Sequence, residues 1–130
     1  MELTTRAGRD GEALLVLELT AQESEWLGDD AHTALAELGR ALWAAADLRR
    51  GTGREEWWPV VMDATRLINR LEGVRDAALR EIPAASHGEI ATATGLPRQT
   101  VVSRRKAGTL PPDTPTRWET WARTGDLPQA

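Results

Sequence analysis

Between Ala21 and Pro83 apolar residues return every three or four positions in two long runs, and a chain carrying two such stripes is committed to long helices. The first run is Leu27, Ala31, Leu35, Leu38, Leu42 and Ala45; the second is Val61, Ala64, Ile68, Leu71, Ala78 and Ile82. Thr20-Ala21-Gln22-Glu23 fits a capping box, in which the threonine oxygen and the glutamate three residues on satisfy free amides, so a helix begins near Ala21. Gly28-Asp29-Asp30 breaks it, and the main helix is expected from about Asp30 to Leu48. Gly51-Thr52-Gly53 reads as a turn. The next helix enters near Trp58-Pro59, because proline fits a first turn, where its missing amide costs nothing. It is expected to run to about Glu81, with Gly73 as a soft spot worth about 1 kcal/mol relative to alanine, and to stop at Pro83.

Ahead of these helices, Leu14-Leu15-Val16-Leu17-Glu18-Leu19 is short, branched and apolar behind the turn-like Gly8-Arg9-Asp10-Gly11. It reads as a strand, paired with residues 2 to 7 as a hairpin. The expected class is mainly α: a short N-terminal hairpin, two long amphipathic helices, a further helical module and a short C-terminal helix. The two long helices carry more apolar stripe than one antiparallel pair covers, which points to a homodimer formed through this N-terminal half. Trp57 and Trp58, adjacent on a helix, face different sides, so one has room in a core while the other needs a partner surface.

Several function classes drop out. The chain has no cysteine, hence no disulfide, thiolate nucleophile or cysteine-based zinc site. No run of about eighteen apolar residues occurs, and the opening Met1-Glu2-Leu3-Thr4-Thr5-Arg6 lacks a signal-peptide design, so the expectation is a cytoplasmic protein with no membrane contact. The histidines are His32 and His87 alone, and helical spacing keeps Asp29, Asp30 and His32 off a common face. With no phosphate-cradling loop and no nucleophile, base and orienting group in sight, no enzyme, no metal and no cofactor is expected.

The net charge of −4 hides an asymmetry. Residues 1 to 97 carry ten basic and seventeen acidic side chains, whereas residues 98 to 130 carry six and three. From Ile90 to Pro112 there is no carboxylate, while Arg98, Arg104, Arg105 and Lys106 supply four positive charges, a local field suited to phosphate. In the same stretch Ala91 is small where two crossing helices would touch, Gly95 tolerates the positive φ of a tight turn, and Ile90, Leu96 and Val101 fill the wedge between them. From His87 to Gly108 the chain resembles the helix-turn-helix of bacterial, actinobacterial-type transcriptional regulators. Gln99-Thr100-Val101 is similar to the start of the recognition helix in lactose-repressor-like proteins, although Pro97 stands where a serine or threonine cap is common. The chain is too short for a sugar-binding domain of that family.

The resemblance implies a division into an N-terminal dimerisation region over 1–83 and a DNA-binding region over 84–130. It implies roles as well: Arg98, Gln99 and Ser103 would read bases, while Thr100, Arg104, Arg105 and Lys106 would hold phosphates. Glu89 would point away from the DNA. Gly108 is placed to end the recognition helix, Thr109 to Asp113 is expected to be extended, and a last helix opens at Thr114-Pro115 or at Thr116-Arg117-Trp118-Glu119, the latter as a second capping box, and stops at Gly125. Trp118, Trp121 and Leu110 are expected to pack back on the helix-turn-helix. Two functions remain open at this point. One is a sequence-specific repressor binding double-stranded DNA as a homodimer on a two-fold symmetric operator; the other is an assembly or antitoxin-like adaptor whose acidic N-terminal half binds another protein. A helical hairpin inside an all-α core is the plainer account of the motif.

Overall fold

The computed structural model describes residues 1–51 and 56–129, with only the backbone of Ala31. Thr52 and Gly53 of the expected turn lie outside the described residues. Those described form a mainly helical protein with a two-stranded N-terminal hairpin and six helices: β1 (Glu2–Ala7), β2 (Ala13–Glu18), α1 (Ala21–Leu27), α2 (Asp30–Arg50), α3 (Trp58–Arg80), α4 (His87–Thr94), α5 (Arg98–Lys106) and α6 (Arg117–Thr124). β1 and β2 pair antiparallel, from Glu2 opposite Glu18 to Ala7 opposite Ala13.

Local rules place most boundaries where the sequence put them. Thr20 caps α1 with its full box, Glu23 N–H donating to Thr20 Oγ1 at 3.1 Å and Thr20 N–H to Glu23 Oε1 at 3.0 Å. Gly28 and Gly51, at φ of 69° and 68°, end α1 and α2. Pro59 sits in the first turn of α3. α2 runs two residues beyond the expected Leu48, and Trp58 is exposed while Trp57 is half-buried.

The packing between helices departs from the stripes. α2 and α3 lie side by side, yet Leu35, Leu38 and Leu42, like Val61, Ile68 and Leu71, stay roughly half exposed. The buried positions carry charge instead: Glu37 and Asp47 on α2, Arg70 and Asp76 on α3. Arg70 makes this possible by donating to Glu37 and Asp30 at once, so burial leaves few polar atoms without a partner.

Three further expectations are corrected. Gly73 is no soft spot in an exposed helix: it is buried, and the backbone of α6 passes so close that an added Cβ would overlap the Trp118 carbonyl. Trp118 and Trp121 pack on α3 rather than on α4 and α5, with the Arg70 guanidinium 5.2 Å and 4.6 Å from their ring centres. Thr109 to Asp113 is not extended but folds into a tight turn, Asp113 N–H reaching Gly108 O at 2.9 Å and Thr109 bridging to Pro112. The second capping box is half made. Thr116 Oγ1 accepts from Glu119 N–H, but the Glu119 carboxylate turns away to Arg80 Nε at 2.5 Å.

Leu110 goes where it was expected. With Ile90 and Val101 it forms the apolar core of the C-terminal half, all three at most 3% exposed, and Leu79, Ala85, Ala91 and Leu96 pack around it. Leu79, at the end of α3, thereby ties the long helices to α4 and α5.

Candidate nucleic-acid interface

The candidate interface is α5, and its surroundings are set by local signals. Ser86 opens α4 with a full capping box: Glu89 N–H donates to Ser86 Oγ and Ser86 N–H to Glu89 Oε1, both at 3.1 Å. The backbone hydrogen bond from Ser86, followed by its side-chain contact, holds the Glu89 carboxyl below its usual pKa. Glu89 is thus occupied as a cap, in a Ser-x-x-Glu pattern already visible in the sequence. Gly95, at φ 72°, ends α4 with its N–H on Ala91 O at 2.9 Å. Pro97 then caps α5, accepting from Val101 N–H at 3.1 Å, so α5 starts at Arg98.

At the far end Thr109 N–H returns to Arg104 O and Gly108 N–H to Arg105 O, with Gly108 left-handed at φ 70°. These two bonds satisfy carbonyls that the helix end would leave free, and they fix where α5 stops.

Val101 is fully buried, which turns the opposite side of α5 outward. On that side Arg98, Gln99, Val102, Ser103 and Lys106 line one shallow, open depression. The spacing explains it: positions 98, 102 and 106 recur at i+4, and 99 and 103 form the neighbouring row. Among the described residues neither Arg98 nor Lys106 has an ion-pair partner, and no carboxylate lines the depression.

The structure therefore brings together four of the seven residues singled out from sequence: Arg98, Gln99, Ser103 and Lys106. Thr100 is half-buried at the edge of that face. Arg104 is exposed but lines a different recess, with Arg75, Leu79 and Ile82 on the α3 side. Arg105 is half-buried and engaged: its Nη1 donates to Ala85 O at 3.1 Å and lies 2.9 Å from His87 Nδ1. Arg105 thus clamps the start of α4 to α5. Val102 is the residue sequence reading missed, and its signal was the i+4 spacing from Arg98.

Among the described residues no three His, Asp or Glu side chains converge on a point where a metal ion would sit, and no helix is long and apolar enough to cross a membrane. Comparison with protein-family models, with curated proteins and with solved structures finds no match to this chain.

Proposed function

We propose that this protein is a sequence-specific regulator of transcription, a repressor that binds double-stranded DNA as a homodimer on a two-fold symmetric operator. In this reading α4 and α5 are a helix-turn-helix, and α5 is the helix that enters the major groove. The observation that carries it is the outward face of α5, where two cationic and two neutral hydrogen-bonding side chains surround Val102 with no carboxylate among them. The chemistry suits base edges: arginine bridges the N7 and O6 acceptors of guanine, glutamine bridges N7 and N6 of adenine, and a small apolar group fits against the thymine methyl. Lys106, at the end of that face, would sit over a phosphate. Arg104 would reach a strand from the side, whereas Arg105 shapes the motif rather than touching DNA.

The test is selection from a random double-stranded DNA library with the purified full chain, followed by binding to the enriched sequence over a range of salt. The expected result is a symmetric motif with half-sites about one helical turn apart and steep weakening by salt. Absence of any enriched motif, with weak binding even at low salt, would sink the reading.

A second reading has one observation in its favour. Trp26, Trp43 and Trp58 stand 75%, 59% and 71% exposed on the acidic N-terminal half, a concentration of aromatic surface of the kind protein partners use. In this reading the protein is an adaptor or antitoxin-like assembly factor, and capture of a dedicated partner by the N-terminal half, unaffected by loss of Arg98, would favour it.

A further inference from the structure

We infer that the outward stripes of α2 and α3 are the interface with a second copy of this chain, the two helix pairs closing on each other as a four-helix bundle. This gives a surface to the homodimer in the reading above, and it rests on that dimer rather than on DNA binding.

The spacing is that of a bundle seam. On α3 the positions 61, 64, 68, 71, 75 and 78 alternate steps of three and four; on α2 the positions 35, 38, 42, 45 and 49 do the same. Such a repeat is what knobs-into-holes packing against further helices demands. The ion pairs Arg40–Asp63 and Arg70–Glu37 set the register of the antiparallel pair. That register puts Leu35 level with Leu71, Leu38 with Ile68, Leu42 with Ala64 and Ala45 with Val61. These are four successive uncharged layers, and charge enters only at the ends, as Arg49 and Arg75. Leu35, Leu38, Leu42, Val61, Ile68 and Leu71 remain 42% to 61% exposed.

The exposed apolar area is of the order that a dimer takes. A large aliphatic side chain carries roughly 60–120 Å² of apolar surface, from about 1.5–3 kcal/mol at about 25 cal/mol per Å². Six such side chains at half exposure leave roughly 180–360 Å² uncovered, to which the half-buried Ala45 and Ala64 add. A standard interface buries about 800 Å² per partner, roughly 60% of it apolar, or about 480 Å². Four further α2 and α3 charges, Glu37, Asp47, Arg70 and Asp76, are already buried inside the chain, so closing the seam strands none of these four. A second copy presents the same seam at the same length, which is the condition for a two-fold interface.

The test uses the full chain without DNA. Light scattering after size exclusion should give twice the 14.3 kDa of one chain at micromolar concentration. Because the protein has no cysteine, single-cysteine variants report on contact between copies alone. Ala45→Cys and Ala64→Cys, in the seam, should be joined by a bismaleimide into a covalent dimer, whereas Thr92→Cys, exposed on α4, should not. A stable monomer would overturn the interface and leave the face to a foreign helical partner; cross-linking at Thr92 equal to that at the seam would overturn it too. A cross-linked dimer that selects no DNA sequence would defeat the DNA reading alone, and a monomer that selects an unpaired half-site would defeat the interface alone.

Discussion

Arg70 Nε donates to Glu37 Oε2 at 3.0 Å across α3 and α2, with 6% of one side chain and 1% of the other left in solvent. The same guanidinium donates to Asp30 at 2.6 Å and stacks on Trp118 and Trp121, so one arginine ties α2, α3 and α6 together. Burial pulls the Arg70 pKa down, and the hydrogen bond and charge of Asp30 with the charge of Glu37 more than reverse it, leaving the group held charged. With Glu37 lost, Arg70 still holds Asp30; with Arg70 lost, the buried Glu37 charge is stranded, which in buried pairs costs about 3–5 kcal/mol. Arg70→Met is therefore expected to be strongly destabilising in urea denaturation, and Glu37→Leu with Arg70→Met to recover much of the loss. A single variant within about 0.5 kcal/mol of the parent, the range of neutral surface changes, would mean the pair does not hold these helices.

Gly73 gives a test of opposite sign to its helix propensity. In an exposed helix Gly→Ala gains about 1 kcal/mol, but here the new methyl meets the Trp118 backbone. Gly73→Ala is expected to cost about 1–3 kcal/mol as α6 is pushed off α3. A raised melting temperature would show that α6 moves aside freely.

On α5 the variants separate three roles. Arg98→Ala should weaken preferred DNA sites by about 1–3 kcal/mol and relax selectivity at one base pair; Lys106→Ala should weaken all sequences alike and lower the salt slope by about one. Arg105→Ala should appear first as lost thermal stability, because it releases Ala85 O and His87. Equal loss of selectivity from Arg98→Ala and Lys106→Ala would refute the assignment of readers.

The start of α4 carries a pH signature. The Glu89 carboxyl has a lower pKa folded than unfolded, so it stabilises the protein above the ordinary carboxylate range, and this contribution fades as pH falls through the lowered value. Glu89→Gln should be the less stable protein near neutral pH, with the gap to the parent closing in acid. Amide exchange at the first turn of α4 measures it, and a gap that persists unchanged in acid would contradict the capping role.

The elements whose cause lies within a few residues are legible in the sequence itself. Thr20 with Glu23, Pro59 in a first turn, Gly95 between two helices and Gly108 after α5 each act on the backbone beside them, so pattern alone locates the hairpin, the helices and the face of α5. What tertiary structure decided is which sides of α2 and α3 turn inward, because that depends on partners distant in sequence. Arg70 finds Glu37, Asp30, Trp118 and Trp121 only once α6 has crossed α3 at Gly73, and this network buries the charged faces while the apolar stripes stay outside. The fate of Arg105 was settled in the same way. Nothing in its neighbours along α5 foretells Ala85 and His87, so that Arg105 also clamps two helices could be seen only in the folded chain.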